Sequence, residues 1–158
     1  MADKKANAKA ALIDELNGLL ADHFALYTKT KSFHWHITGP RFRDLHLLFD
    51  DQATEIRTQI DVIGERVRKQ GGKTLTSTGA IAKHTQIKDQ DKTDLSPDEM
   101  VTELRDDNQK MVDRLKAMKE LTENAGDNAT DGLVDDWTDA AEERVWFLTS
   151  ILGEQVKA

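Results

Sequence analysis

Two histidines, an aspartate and a glutamate occur along one stretch of this chain, at His34, His46, Asp61 and Glu65. Imidazole and carboxylate groups in this combination suit iron, zinc or manganese. Asp61 and Glu65 would lie one turn apart on a helix, but His46 would lie about 22 Å from Asp61 along the same helix. Because a metal–ligand bond is only about 2 Å long, either these residues are unrelated or a second copy of the chain brings the two groups together.

Helical periodicity indicates the elements that carry these residues. Apolar residues recur at steps of three and four in two stretches, about residues 6–37 and about residues 42–70. Gly39-Pro40 separates them, because proline cannot continue a helix. Residues 73–96 are polar and weakly periodic, which predicts a long crossover with a short helix near residues 79–84.

A second helical pair follows the crossover. Ser96, Pro97 and Glu99 form the pattern of a capping box with proline at the first helical position. After a turn at residues 123–132, the last helix carries Trp137 and Trp146, which we expect to pack in the core. Two helical pairs joined by one crossover predict an all-α fold, a ferritin-like four-helix bundle, as a single domain over residues 1–158 with a short tail at residues 1–9.

Composition narrows the class of protein. The chain has no cysteine, which excludes disulfides and thiolate metal sites. Its net charge of -7 argues against a surface that binds polyanions throughout. It also shows neither a leader-like apolar run nor a membrane span, so we expect a cytoplasmic protein with no membrane partner.

The candidate ligands share a face of the second helix that points away from the chain's own core. With Leu45 at zero, the apolar stripe spans roughly 0–80°, while His46 falls near 100° and Glu65 near 200°. A solvated polar face is the simpler reading of such carboxylates. The alternative hypothesis is that two chains share the ligands. Two antiparallel copies of the helix would then lie about a two-fold axis near Ala53 and Thr54, whose small side chains permit close approach.

Two further observations bear on that reading. His34 precedes the turn and is expected to fold back toward His46, which would complete each site. Ferritin-like sites within one bundle use Glu-x-x-His pairs, but none of the five histidines has a glutamate three residues before it. A metal site inside one bundle is therefore not expected.

The stretch FHWHITGPRFRDLHLLFDDQATEIRTQIDVIGERVRKQGG resembles the ferroxidase signature of the Dps (DNA protection during starvation) family of mini-ferritins. The agreement extends over about forty residues, and the order and length of the other helices agree as well. The matching elements are His34-Trp35, Gly39, Phe42, Leu45-His46, Asp61 and Glu65-Arg66.

The resemblance implies a dodecameric hollow shell that oxidises Fe(II), preferentially with hydrogen peroxide, and stores ferric mineral. His34 and His46 would come from one subunit, and Asp61 and Glu65 from its partner. Asp50 matches a family position that supports the site or a second iron. Trp35 has two interpretations, packing at the dimer contact or quenching of oxidising equivalents.

An acidic segment could form a route for iron. Nine acidic residues and no lysine or arginine lie between positions 120 and 143, and a solvated acidic face is again the simpler explanation. In the family this turn lines a three-fold pore, so the resemblance implies pore carboxylates at Asp127 and Asp136. Gly132 stands where the family has another aspartate, with Asp131 beside it.

The resemblance also implies DNA binding for those members that have a lysine-rich N-terminal tail. Lys4, Lys5 and Lys9 are a modest counterpart of such a tail, and the net charge of -7 opposes contact with DNA. Two alternatives to a ferroxidase stay open. One is a structural, nucleoid-condensing protein with secondary metal binding. The other is an assembly loaded with zinc or manganese that is catalytically quiet.

Overall fold

The computed structural model describes residues 2–157, and all regular structure in that range is helical. The helices lie close to the predicted ranges, and the short helix of the crossover is present. Their bounds are α1 Ala2–His36, α2 Phe42–Lys69, α3 Thr78–His84, α4 Pro97–Ala125 and α5 Asn128–Ile151.

The four long helices form two antiparallel pairs, α1 with α2 and α4 with α5, and α1 also packs against α4. Gly39, at φ 97°, makes the turn of the first pair, and Gly126, at φ 66°, makes that of the second. A left-handed backbone at both turns favours glycine. The predicted ferritin-like four-helix bundle with a long crossover is confirmed.

Local signals account for where α4 begins. The Ser96 side chain accepts a hydrogen bond from the Glu99 backbone N–H, and the Glu99 side chain accepts one from the Ser96 backbone N–H. The predicted capping box is therefore confirmed, with Pro97 at the start of the helix. By contrast, α1 begins at Ala2, earlier than predicted, so Lys4, Lys5 and Lys9 lie on its first turns rather than in a tail.

One apolar cluster fills the bundle, and α2 contributes the stripe predicted for it. Its buried residues are Leu45, Phe49, Gln52, Ala53, Ile56, Ile63 and Val67. Trp137 is buried as predicted, but the prediction for Trp146 is wrong, because its side chain is 57% exposed. Neighbouring residues of a helix point about 100° apart, so Val145 takes the core position and Trp146 faces outward.

A buried charge network attaches the crossover to the bundle. The Asp22 carboxylate accepts hydrogen bonds from the Thr85 hydroxyl and the Gln86 backbone N–H, and from Arg114 of α4. These bonds satisfy a carboxylate that is only 2% exposed. The polar crossover is thus held to α1 and α4 by hydrogen bonds.

Over the described range, no helix is long and apolar enough to cross a membrane.

Candidate metal centre

The turn between α1 and α2 brings His34 and His46 together. The Nδ1 atom of His34 lies 2.7 Å from the His46 carbonyl oxygen, and the Nδ1 atom of His46 lies 2.8 Å from the His34 carbonyl oxygen. The two rings stack with centroids 3.8 Å apart and planes inclined by 17°. The last turn of α1 and the first turn of α2 therefore hold one paired imidazole unit.

This pairing determines which ring nitrogens can bind a metal. A backbone carbonyl only accepts hydrogen bonds, so in a neutral ring each Nδ1 carries the proton and each Nε2 has the lone pair. Phe42 stacks on the outer side of His46 at a centroid distance of 5.0 Å. Ring orientation and tautomer are thus set before any metal arrives, as is usual for metal-binding histidines.

Asp50 lies one turn after His46 on α2 and is engaged by Lys31 of α1. The Lys31 ammonium donates a hydrogen bond of 2.6 Å to Asp50 Oδ1. That hydrogen bond is the main reason that the pKa of Asp50 lies below its ordinary value, and the positive charge of Lys31 adds to it. The carboxylate is therefore charged, but one of its oxygens already faces a cation.

Asp61 and Glu65 lie on α2 and are exposed. Glu65 has a 3.4 Å contact with Lys69, and both side chains are more than half exposed, so the pair constrains neither. Across residues 2–157 of the single chain, no three His, Asp or Glu side chains converge on a common point. One chain thus carries two separate groups of candidate ligands: His34 and His46, called the histidine half below, and Asp61 and Glu65, called the carboxylate half.

The outer face of α2 differs from the prediction at one position. Ala53 is fully buried in the chain's own core, so it cannot contact a partner; Thr54 is the exposed residue at the midpoint between His46 and Asp61. Two large apolar side chains on the surface flank the half-sites, Trp35 beside His34 and Val62 beside Asp61. They are 67% and 38% exposed.

The acidic residues predicted for a pore have different environments. Asp127 caps α5 and forms an ion pair of 2.5 Å with Arg66. Asp131 accepts hydrogen bonds from Thr122 at 2.6 Å and pairs with Lys119 at 2.8 Å. Asp136 is exposed. Of the three carboxylates, Asp136 is the one that projects from the described surface without such a structural role.

Lys31 and Arg66 had no predicted role. Lys31 lies three residues before His34, one turn back along α1, so its spacing was a usable signal. Arg66 stood in the signature only as the neighbour of Glu65. Lys4, Lys5 and Lys9 are exposed at the start of α1, far along the helix from His34.

Comparison with known proteins agrees with this architecture. The family model of the ferritin-like domain matches residues 13–156. The chain is 33% identical to the DNA protection during starvation protein of Brevibacillus brevis over 87% of this chain and 91% of that one. It is 31% identical to the DNA protection during starvation protein 2 of Bacillus anthracis over 90% of this chain and 97% of that one.

Solved structures show the same likeness. The crystal structure of a Dps protein from Bacillus brevis superposes with a TM-score of 0.89 at 31% identity, covering 92% of this chain and 97% of that one. The Dps protein of Vibrio cholerae O1, described as a member of a broad superfamily of ferritin-like diiron-carboxylate proteins, has a TM-score of 0.87 at 27% identity, covering 92% and 91%. The chain therefore belongs to the ferritin-like family and, within it, to the Dps proteins.

Proposed function

We propose that this protein oxidises ferrous iron with hydrogen peroxide at sites shared between two copies of the chain and stores the ferric product in an oligomeric shell. The observation that carries the proposal is the reciprocal pairing of His34 and His46, which engages both Nδ1 atoms and leaves the Nε2 atoms to bind metal. The diiron-carboxylate superfamily of the Vibrio cholerae relative supports iron as the substrate metal.

The two half-sites of one chain suit a two-fold contact. If two copies of α2 lie antiparallel about an axis near Thr54, the histidine half of each faces the carboxylate half of the other. A two-fold contact is isologous, so each dimer would hold two equivalent sites. Dps membership supports twelve copies as the full shell, and sedimentation of the purified protein measures that number.

The chemistry follows from the ligand set. Two ferrous ions each give up one electron, and peroxide accepts both as its O–O bond breaks; with two protons it leaves as two molecules of water. Asp61 and Glu65 supply negative charge, which favours the more highly charged ferric product. Because ferrous iron and peroxide are the reactants that generate hydroxyl radical, their removal protects DNA without any contact with it.

Residues around the histidine half have supporting roles in this proposal. Asp50 supports the site through its neighbouring charge, and the Lys31 ammonium lies where a second cation would otherwise approach that carboxylate. Trp35, exposed beside His34, quenches oxidising equivalents close to the iron. Zinc and manganese suit the same ligands, so loading with zinc should inhibit iron oxidation.

Iron would approach along the acidic residues at the start of α5. Since Asp127 is already paired with Arg66 and Asp131 with Lys119, Asp136 is the cleanest residue to test. Asp136→Asn should slow iron uptake into the shell while oxidation of the first irons by disassembled dimers is unchanged. Equal uptake rates in the variant and the wild type would remove Asp136 from the route.

Direct DNA binding is a separate candidate, favoured by the exposed Lys4, Lys5 and Lys9 on the first turns of α1. Repetition of weak basic sites around a shell would raise the avidity. Replacing the three lysines with glutamine should abolish a gel shift seen at low salt, because phosphate contacts are lost. If the wild-type shell produces no shift at low salt, its DNA protection rests on iron chemistry alone.

The shared site can be tested by complementation between two inactive variants. His46→Ala removes the histidine half of a chain, and a chain carrying both Asp61→Asn and Glu65→Gln lacks the carboxylate half. When the two are unfolded, mixed in equal amounts and refolded together, about a quarter of the sites should regain both intact halves, because each mixed dimer holds one complete and one empty site.

Stopped-flow oxidation of Fe(II) by peroxide measures the recovery. His36→Ala is the matched control, because His36 lies on the same turn of α1 but bonds its own helix at the Ser32 carbonyl. That control should oxidise iron at the wild-type rate. No recovery in well-assembled mixed shells would contradict a site shared between subunits.

A further inference from the structure

Arg66 joins the carboxylate end of α2 to the beginning of α5. Its Nε donates a hydrogen bond of 2.6 Å to the Thr130 hydroxyl, and its Nη2 donates one of 2.5 Å to Asp127 Oδ1. The side chains of Arg66 and Asp127 are only 13% and 9% exposed. The contact is therefore sheltered and made at two points, an ion pair with Asp127 and a hydrogen bond to Thr130.

Hydrogen bonds from Thr130 hold the Asp127 carboxylate that Arg66 contacts. Asp127 accepts a hydrogen bond from the Thr130 backbone N–H at 3.1 Å and another from the Thr130 hydroxyl. Burial raises the pKa of Asp127, but the hydrogen bonds from Arg66 and Thr130 outweigh it and hold that pKa below its ordinary value. Arg66 thus meets a fixed and charged receptor.

The consequence concerns Glu65, the preceding residue. Glu65 is exposed, and its contact with Lys69 is weak, so the direction of its carboxylate depends on the rotation of α2 about its axis. A side-chain tip lies about 6 Å from a helix axis, so a rotation of about 10° displaces it by about 1 Å. A binding site tolerates only about 0.5 Å.

We propose that Arg66 is a positioning residue for Glu65: its fork onto Asp127 and Thr130 adds to the core packing of Ile63 and Val67 and fixes the rotation of the last turns of α2, so that Glu65 faces the histidine half of a partner chain. This inference rests on the proposed function, since it assigns Glu65 to a shared metal site. A lysine cannot replace the arginine, because an ammonium group lacks the planar fork that reaches both acceptors.

The test compares metal affinity in assembled protein. Co²⁺ is used in place of Fe²⁺ because it is not oxidised during the titration. Arg66→Lys should bind Co²⁺ about 10- to 100-fold more weakly than the wild type, as for other groups that support metal ligands indirectly. Arg68→Gln is the matched control, since Arg68 lies near the same end of α2 and donates only to the Gly72 carbonyl. Its affinity should equal that of the wild type.

A second comparison separates positioning from a general loss of structure. In a Glu65→Gln background, Arg66→Lys should cause little further loss of Co²⁺ affinity, because the ligand that it positions is already gone. If Arg66→Lys does not assemble, Thr130→Val provides a second test. It removes the hydroxyl that accepts the hydrogen bond from Arg66 Nε, and it should also weaken Co²⁺ binding.

The outcomes are distinguishable. Unchanged affinity in an assembled Arg66→Lys shell overturns this inference and leaves the proposed function intact, as does an equal loss with and without Glu65. If neither His46→Ala nor Glu65→Gln weakens Co²⁺ binding relative to the wild type, the shared site is overturned, and this inference is overturned with it.

Discussion

At the scale of single residues, a backbone carbonyl oxygen determines which nitrogen of each imidazole in the histidine half is available, because a carbonyl oxygen only accepts hydrogen bonds. Each Nδ1 of His34 and His46 faces a backbone carbonyl, so at the proposed site each Nε2 would be the nitrogen that binds the metal. Backbone geometry rather than another side chain thus prepares this half of the site.

Lys31 limits what Asp50 can bind. Its ammonium occupies one oxygen of the Asp50 carboxylate at 2.6 Å. Lys31→Met should therefore free that oxygen and raise the number of Zn²⁺ ions bound per site, measured by calorimetric titration of the assembled protein. Adding Asp50→Asn to that variant should reverse the gain; a stoichiometry that does not respond to Lys31→Met would show that the ammonium does not compete with metal.

His23 makes stability depend on pH. Burial lowers its pKa from 6.5 to about 4, and the Arg144 charge acts in the same direction. The unfolded chain binds a proton at higher pH than the native one, so stability should be lost as the pH falls from about 6.5 to about 4, by about 3 kcal/mol for this group. The fall in Tm over that window should shrink in His23→Gln.

The exposed His84 provides the control for that measurement, because it bonds only to the Ala80 carbonyl of its own helix. His84→Gln should keep the wild-type dependence of Tm on pH. An unchanged dependence in His23→Gln would mean that other groups account for the sensitivity to acid.

At the scale of helices, Gly18 shows why a poor helix former stands within α1. A Cβ at this position would overlap the guanidinium of Arg114. Arg114 crosses α1 here to reach Glu15 at 2.6 Å and Asp22 at 2.8 Å. The missing side chain thus allows α4 to bind the carboxylate that also holds the crossover.

In Gly18→Ala, the new methyl group should displace Arg114 and weaken its hydrogen bonds to Glu15 and Asp22. This loss should lower the free energy of unfolding by about 2 kcal/mol, which exceeds the gain of about 1 kcal/mol from the higher helix propensity of alanine. Gly132→Ala, where a Cβ would meet nothing within 4 Å, should be neutral or stabilising. Thermal unfolding of the two variants measures the contrast. A more stable Gly18→Ala would show that Arg114 shifts without loss.

At the scale of the whole molecule, the proposed metal site depends on a contact between two chains. The partly exposed His46 and the exposed Asp61 and Glu65 lie along the outer side of α2, with the exposed Thr54 between them. A protein of this design would gain activity only on assembly, so isolated chains would not oxidise iron unprotected by a shell.

Thr54→Glu should split the proposed dimer, because two like charges would meet across the two-fold axis. The helices should remain, since Thr54 is exposed in the single chain. Sedimentation, circular dichroism and Co²⁺ titration together should show monomers with intact helices and without the high-affinity site. Thr54→Ser should behave as the wild type, and tight Co²⁺ binding by helical monomers would contradict the shared site.

Most of the fold follows from local patterns. Helical steps of three and four, the Gly39-Pro40 break and the Ser96 capping box together predicted the helices, because each signal acts within a few residues. The same patterns predicted which residue types could bind metal and that they lie on an outward face of α2. They placed Trp146 in the core wrongly, since positions 137 and 146 are nine residues apart and therefore lie on opposite sides of α5.

Residue types and short-range spacing are therefore enough to predict the helices, the bundle class and the chemistry of the candidate ligands. The packing of the helices was needed to show that the His34 and His46 rings pair, that Lys31 faces Asp50, and that Arg66 contacts Asp127. Those pairings join residues from different helices, and their geometry depends on how the helices pack, which no short-range pattern encodes.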